Sequence, residues 1–206
     1  MTRRNLFLCQ TLVGLVLLSG ALPAGAIERI RIRGDELVGD TITIDETLSP
    51  PMITVSAGVA VSGAPGSLQG LGGGQYRILV AGNAYYHLKA KGAVDTITVI
   101  DGPGSSRYWL GAGADDDTVS VQDGPGNDEY TIEGKGGDDV YEIFDDSGNG
   151  DDAYFVKTAS GDDLLNITDG PGDDLYHLKG TPDVDLVFTD AGGDADTIRS
   201  KGIPLP

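Results

Sequence analysis

The sequence predicts an all-β protein whose chain winds into a parallel β-solenoid, of the β-roll or β-helix type, with 22-residue coils of two strands each. Three observations predict this fold. An anchor residue, acidic in nearly every unit, recurs at a fixed period; apolar and polar residues alternate after each anchor; and the turns between are rich in Gly and Asp. Tandem units of fixed length are typical of solenoids, in which each unit packs only on its neighbours.

The anchor recurs at every eleventh position, with one longer step of thirteen between Asp139 and Asp152, where residues 147–150 lengthen a turn. The anchor positions are Asp95, Ser106, Asp117, Asp128, Asp139, Asp152, Asp163, Asp174, Asp185 and Asp196. This regularity argues against a disordered acidic tail, which 32 Gly and 6% aromatic residues would otherwise suggest.

Each unit contains one strand, because the second and fourth residues after the anchor are apolar or aromatic, as Tyr130 and Ile132 are after Asp128. Alternation with period two indicates a strand that buries one face. Turns that begin Asp-Gly-Pro-Gly precede the strands that carry a tyrosine, so alternate units differ and two units make one coil. We therefore expect two parallel sheets that face each other, and a ladder along one inner wall formed by Tyr86, Tyr108, Tyr130, Tyr154 and Tyr176.

Residues 1–26 are predicted to be a signal peptide, because Arg3 and Arg4 precede an apolar run that ends at the small residues Ala24-Gly25-Ala26. A membrane anchor is the alternative, but polar and small residues interrupt the run. The export route, general secretion or twin-arginine, stays open. We expect a secreted or cell-surface protein without disulfides, because the single cysteine, Cys9, lies in the removed segment.

The mature chain is predicted to have three parts. Residues 27–83 form irregular N-terminal coils or a cap, in which residues 40–44 and 51–55 resemble two further units. Residues 84–198 form the solenoid of 11-residue repeats, and residues 199–206 form a short C-terminal tail. We expect the irregular part to shield the first edge of each sheet.

The formal net charge of −18 argues against nucleic acid or an anionic membrane as a partner. After removal of the signal peptide we also expect no membrane span. Multivalent cations are the natural partners of such a chain.

The turn at residues 170–176, Gly-Pro-Gly-Asp-Asp-Leu-Tyr, fits the pattern G-x-G-x-D-x-φ, where φ is apolar or aromatic, and residues 124–130 and 148–154 fit it too. This pattern resembles the calcium-binding nonapeptide repeats of the repeats-in-toxin (RTX) family. The resemblance implies a β-roll that holds calcium ions between successive turns. The chain departs from that family in its period of 11 instead of 9, in lacking some of the expected glycines, and in its N-terminal export signal.

The acidic residues support calcium on physical grounds as well. Calcium is bound by six to eight oxygen atoms from carboxylates and carbonyls, and stacking would place the anchor carboxylates of consecutive coils close together. Like charges at that distance repel unless a cation lies between them. We expect several calcium ions, with ligands Asp117, Asp128, Asp139, Asp152, Asp163 and Asp174, and further ligands Asp95, Asp185 and Asp196. Ser106 interrupts the column, so its coil is expected to bind calcium weakly or not at all.

No catalytic site is predicted, because His87 and His177 are four coils apart and no nucleophile, base and orienting group can be assembled. The predicted function is a structural or adhesive role for a calcium-binding solenoid. Two alternatives stay open: an enzyme that acts on extracellular polysaccharide, and an ice- or mineral-binding protein. The sheet faces are candidate surfaces for self-association or for a carbohydrate or protein partner.

Overall fold

The computed structural model describes residues 28–34, 36–79, 84–145, 150–190 and 195–206. These residues form 17 β-strands and no helix, so the predicted all-β class is confirmed. No helix capable of crossing a membrane occurs among them. The predicted signal peptide, residues 1–26, lies outside the described residues.

The strands form two sheets. The eight strands of sheet A are β1 (Glu28–Arg33), β4 (Ala60–Ser62), β7 (Ala84–Lys89), β9 (Arg107–Gly111), β11 (Glu129–Glu133), β13 (Ala153–Lys157), β15 (Leu175–Lys179) and β17 (Thr197–Lys201). The nine strands of sheet B are β2 (Thr41–Asp45), β3 (Met52–Val55), β5 (Leu68–Gly72), β6 (Gln75–Ile78), β8 (Thr96–Ile100), β10 (Thr118–Gln122), β12 (Val140–Phe144), β14 (Leu164–Asp169) and β16 (Asp185–Asp190).

From β7 to β17 the chain alternates between the two sheets, and each strand pairs in parallel with the strand one coil later. Tyr86 pairs with Tyr108 and Ile97 pairs with Val119, so equivalent positions of consecutive coils lie side by side. The predicted parallel β-solenoid with 22-residue coils is therefore confirmed. One coil, from Asp128 to Asp152, is two residues longer than the others, and the added length lies between β12 and β13.

The core fills the space between the sheets with the inward residues of every strand, as the alternation predicts. Five of them are the tyrosines of sheet A, whose rings stack with centroids 4.9–5.1 Å apart and planes within 8° of parallel. Each of the five rings is at most 1% exposed. Stacked rings at this spacing are offset aromatic pairs, each of which stabilises the fold by about 1 kcal/mol beyond the burial of its area.

The described part of residues 27–83 contains one solenoid coil and a set of antiparallel strands. β1 pairs in parallel with β7, and β2 pairs in parallel with β8. Residues 51–55, interpreted from the sequence as a further unit, instead form the return strand β3 of a hairpin with β2. β3 is followed outward by β6 and β5, and β4 runs antiparallel to β1, so antiparallel strands cover the first parallel strand of both sheets.

The glycines of the turns are required by the close approach of stacked coils. A Cβ atom on Gly126 would lie 1.7 Å from the carbonyl oxygen of Gly104, one coil earlier, and the same overlap recurs between Gly150 and Gly126. A side chain at these positions would force the coils apart. Gly104 is the first described member of this column, and a Cβ atom there would meet no atom of the described residues within 4 Å.

The last strand of each sheet is an edge, β16 in sheet B and β17 in sheet A. β17 runs to Lys201, and Ile203 beyond it is 4% exposed, so part of the segment predicted as a tail packs on the last coil.

Candidate metal centre

Two lines of turns run along the solenoid. Turns of the first corner lead from a strand of sheet B to the next strand of sheet A, for example residues 123–128. Turns of the second corner lead from sheet A to sheet B, for example residues 134–139. Both corners contain rows of acidic side chains, but only the first corner brings three carboxylates together among the described residues.

The inner row of the first corner consists of the acidic residue at the end of each sheet B strand. Because the strands pair in register, these residues lie one above another, coil after coil. They are Glu46, Asp101, Asp123, Asp145, Asp169 and Asp190. From the sequence, Asp101, Asp123 and Asp169 are interpreted as the first residues of Asp-Gly-Pro-Gly turns, and no member of this row is predicted to bind metal.

The anchor row of the first corner precedes the sheet A strands. Its members are Ser106, Asp128, Asp152, Asp174 and Asp196. Each aspartate of this row accepts, through Oδ1, the backbone N–H of its equivalent one coil earlier. The distance is 2.7 Å from Asp152 N to Asp174 and 2.9 Å from Asp174 N to Asp196. These hydrogen bonds to a charged acceptor fix each carboxylate between two coils.

The two rows interlock into four groups of three carboxylates, and within a group one ligand atom from each residue lies within 4.8 Å of the others. Every group takes two inner-row members from adjacent coils and one anchor. The groups are Asp101, Asp123 and Asp128; Asp123, Asp145 and Asp152; Asp145, Asp169 and Asp174; and Asp169, Asp190 and Asp196. Three aspartates are therefore shared between neighbouring groups. Of the predicted ligands, Asp128, Asp152, Asp174 and Asp196 belong to these groups.

The first three groups are buried, with every member at most 3% exposed. Several of their oxygen atoms lack a hydrogen-bond partner, among them Oδ2 of Asp101, Asp128, Asp145, Asp169 and Asp174. A buried carboxylate oxygen without a donor is costly, and two unit charges about 4 Å apart near a protein surface repel by roughly 4 kcal/mol. The groups therefore need a proton or a cation to neutralise them.

Burial raises the pKa of these carboxyl groups, and neighbouring carboxylates raise it further. The pKa of Asp101 rises to about 9, with Asp128 as the main charged neighbour. The pKa of Asp152 also rises to about 9, and that of Asp145 to about 8. In the absence of a cation, these groups would hold protons at neutral pH. A multivalent cation that displaces those protons would bind several carboxylates at once.

The hydroxyl groups of the buried tyrosines donate hydrogen bonds to carboxylates of the inner row. These hydrogen-bond acceptors are not identified in the sequence analysis. Tyr130 donates its hydroxyl to Oδ1 of Asp123 at 2.6 Å, and Tyr154 donates to Oδ2 of the same residue. Tyr176 donates to Asp169 at 2.6 Å, and Tyr108 donates to Asp101. The tyrosine ladder therefore holds the inner row in place from the core side.

In the first coil, the inner-row position is occupied by a glutamate, Glu46, instead of an aspartate. Tyr86 donates to Oε1 of Glu46, and the hydroxyl of Ser106 donates to Oε2 of Glu46 at 3.2 Å. Because Ser106 stands where the other coils have an aspartate, no three-carboxylate group that includes Glu46 forms among the described residues. Weak or absent calcium binding by the coil of Ser106 stays a prediction.

The second corner carries the remaining predicted ligands, Asp95, Asp117, Asp139, Asp163 and Asp185. They form another hydrogen-bond ladder: Asp95 N donates to Asp117 Oδ1 at 2.8 Å, and Asp117 N donates to Asp139 Oδ1 at 2.9 Å. Asp95, Asp117, Asp139 and Asp163 are buried, whereas Asp185 is exposed. None of the five joins a three-carboxylate group in the described part of the chain. Their assignment as ligands stays a prediction.

A sequence signal for the missed inner row does exist. Asp101, Asp123 and Asp169 each stand seven residues before a tyrosine of the ladder, and in the structure that tyrosine donates to them. Their strand-end position, however, makes them indistinguishable from ordinary turn formers until the two rows are stacked.

The donor set consists of carboxylate oxygens alone, which suits a hard cation. The nine aspartates offer 18 carboxylate oxygen atoms to the four groups, and neighbouring groups share three of these residues. The site could therefore hold metal ions between consecutive coils. No known protein family model, no curated protein and no solved structure matches this chain.

Proposed function

We propose that this chain is a secreted or cell-surface calcium-binding β-solenoid with a structural or adhesive role, in which calcium ions in the first corner tie consecutive coils together. The observation that carries the proposal is the interlocked set of four carboxylate groups, most of it buried between stacked turns. The resemblance of the turns to the calcium-binding repeats of the RTX family supports the same interpretation.

The charge of the corner supports one ion for each group. Nine different aspartates make up the four groups, so four divalent ions would bring eight positive charges to nine negative ones. Monovalent ions would leave about half of that charge uncompensated. Because Asp123, Asp145 and Asp169 each belong to two groups, neighbouring ions would share ligands, and binding at one group would order the next.

Calcium fits the corner better than magnesium does. Magnesium loses its hydration water reluctantly and requires near-ideal octahedral geometry, whereas calcium accepts six to eight oxygens in flexible geometry. Three of the four groups are buried, and their carboxylates are held by the backbone hydrogen bonds of the anchor row and by the tyrosine ladder, which leaves little room for retained water. We therefore propose selectivity for calcium.

Calcium binding would supply folding free energy in this account. The second corner contributes stability without metal through its hydrogen-bond ladder, but the first corner contains charges that only protons or a cation neutralise. A chain with a formal net charge of −18 and no calcium is expected to be largely disordered at neutral pH.

The experiment that tests the proposal is far-UV circular dichroism of residues 27–206 during a calcium titration, with magnesium as the control ion. We expect strand signal to appear with calcium and to disappear with a chelator, and magnesium to be much less effective. Strand signal that is complete without metal and indifferent to calcium would overturn the proposal.

A further inference from the structure

The outer face of sheet A concentrates the basic residues of this acidic chain. We call it the basic face, and it comprises the outward side chains of β1, β7, β9, β11, β13, β15 and β17. Nine of the 14 Lys and Arg residues of the chain lie on it. They are Arg29, Arg31, Arg33, Lys89, Arg107, Lys157, Lys179, Arg199 and Lys201.

On the opposite outer face, the parallel strands have none, and Arg77 of β6 is the single basic residue on the described strands of that sheet. The outward positions of β2, β8, β10, β12, β14 and β16 contain no Lys or Arg, and the second and fourth strand positions point into the core. Among the side chains that the structure describes on the basic face, only Glu129 and Glu133 are acidic. A chain with a formal net charge of −18 thus presents one sheet face that is strongly positive.

The central column of the basic face is aromatic. His87, Trp109, Thr131, Phe155 and His177 pair in register across five strands. The rings of His87 and Trp109 stack at 4.4 Å between centroids, with planes 9° apart. Gly111 makes room for the indole, because a Cβ atom there would lie 2.7 Å from Trp109 Cη2.

The densest positive charge lies at the N-terminal end of the face, around a groove of about 580 Å³. Its lining includes Arg29, Arg31, Arg33, His87 and Lys89. Burial lowers the pKa of His87, and the charges of Arg29, Arg31 and Lys89 lower it further. In the described residues the one ion pair on the face joins Arg107 to Glu129 at 3.2 Å, and no described carboxylate forms an ion pair with the three β1 arginines.

We propose that the basic face binds a linear acidic polysaccharide that runs across the strands, along the stack of coils. Its carboxylate or sulfate groups would contact the arginine and lysine side chains that flank the central column. Its sugar rings would pack against the aromatic column, above all Trp109 and Phe155. This site is separate from the calcium groups, which lie in the first corner.

The borders of the face favour a narrow ligand. Each strand of the face is five or six residues long, so the face is roughly 17–20 Å wide. Exposed carboxylates stand at the turns on both sides, Asp151 and Asp173 at the first corner and Asp116, Asp138 and Asp162 at the second. A membrane surface or a nucleic acid duplex would extend over these carboxylates and be repelled, whereas a single polymer chain would not.

Glu133 favours a polysaccharide over single-stranded DNA. Glu133 lies in the column of outward residues that also contains Lys89, Gly111, Lys157 and Lys179, and it pairs in register with Lys157. A carboxylate in this position accepts hydrogen bonds from sugar hydroxyl groups. The phosphodiester backbone of DNA offers it no donor and repels it.

The chain provides its own reporter, because Trp109 is its only tryptophan and lies in the middle of the proposed site. The test is a fluorescence titration of the calcium-saturated protein with dextran sulfate, and with uncharged dextran of the same chain length. We expect saturable binding of dextran sulfate that weakens as salt is added, and no response to dextran. A dextran sulfate titration that leaves Trp109 fluorescence unchanged overturns the proposal.

Two variants with the same change of charge, together with a second polyanion, distinguish binding at the basic face from general electrostatic attraction of a polyanion to the protein. We expect the double variant Arg33→Gln with Lys89→Gln to bind about fivefold more weakly, from the loss of two surface charge contacts. The double variant Lys91→Gln with Lys135→Gln removes two charges at the second corner and should change binding less than twofold. Equal losses in both proteins contradict the proposal, as does tighter binding of an oligothymidylate that carries the same number of charges. Unchanged circular dichroism spectra would show that both variants fold.

Discussion

Tyr154 donates its hydroxyl hydrogen to Oδ2 of Asp123, which lies 31 residues earlier in the chain and at the end of a strand in the other sheet. Tyr130 donates to the second oxygen of the same carboxylate at 2.6 Å. One side chain therefore connects two coils, both sheets and the aromatic core, and it also belongs to two of the four carboxylate groups. The core and the proposed calcium sites are for this reason coupled.

Removal of one tyrosine hydroxyl tests this coupling. Burial raises the pKa of Tyr130 well above its usual value, so its hydroxyl keeps the proton that it donates to Asp123. In saturating calcium, we expect Tyr130→Phe to lower the free energy of unfolding by about 1–3 kcal/mol, because a hydrogen bond to a charged group is lost. Tyr85→Phe, on the outer face, should cost about 0.5 kcal/mol or less. Urea unfolding measures both, and equal costs would contradict the account.

The turn glycines provide a test of coil stacking. Gly126→Ala should prevent normal stacking, because its Cβ atom would overlap the carbonyl oxygen of Gly104 and lie 2.5 Å from Asp128 Oδ2. Gly104→Ala makes the same chemical change at the equivalent turn position, where no atom of the described residues lies within 4 Å of the added Cβ atom. We expect the first variant to lose several degrees or more of melting temperature and to bind calcium more weakly, and the second to behave like the parent protein. Thermal melts with and without calcium distinguish them.

The second corner should contribute stability through hydrogen bonds. Asp117→Ala leaves the buried N–H of Asp95 without its acceptor, at a cost of about 1–3 kcal/mol. Asp117→Asn keeps an acceptor oxygen and removes the charge, so it should be clearly less damaging. Unfolding in saturating calcium gives both values. If Asn is as destabilising as Ala, the charge of Asp117 matters more than the hydrogen bond, and a cation at the second corner becomes the better explanation.

Calcium binding should release protons. Burial and neighbouring carboxylates raise the pKa of Asp101 and Asp152 to about 9 and that of Asp145 to about 8 in the folded, calcium-free chain. The folded state then holds more protons than the unfolded state from about pH 4 upward, so the stability of the calcium-free fold falls as pH rises towards 9. Calcium affinity should rise over the same range as competing protons are lost.

Calorimetric titrations in buffers of different ionisation enthalpy measure the released protons. Circular dichroism of the calcium-free chain at pH 4.5 and pH 9 measures the stability trend, with more strand expected at the lower pH. A calcium-free chain that gains strand as the pH rises would be inconsistent with the raised pKa values.

The fold could be predicted from the sequence because every coil repeats the same spacing, and parallel stacking places equal positions side by side. The anchors Asp128, Asp152, Asp174 and Asp196 could be assigned to a site for the same reason. The inner row could not, because its carboxylates meet the anchors only where two different strands turn around the same corner. Asp101 and Asp128, for instance, belong to one group although the strands β9 and β10 lie between them along the chain.

The sequence predicted that the sheet faces are candidate surfaces for a carbohydrate or protein partner, but it did not show the positive charge of the basic face, for a related reason. Arg31, His87 and Trp109 are neighbours across the strands β1, β7 and β9, yet five other strands separate β1 from β7 along the chain. β1 lies outside the regular repeat, so the repeat spacing does not place its arginines. Only the parallel pairing of β1 with β7 brings them beside the aromatic column.

Calcium content after equilibrium dialysis tests the central claim most directly, because Asp123 serves two groups and exposed Asp162 serves none. The account predicts about four calcium ions at the first corner of the parent chain, two fewer in Asp123→Asn, and the parent number in Asp162→Asn, which makes the same change of charge. A parent chain that retains no calcium, or an Asp162→Asn protein that loses as many ions as Asp123→Asn, would contradict it.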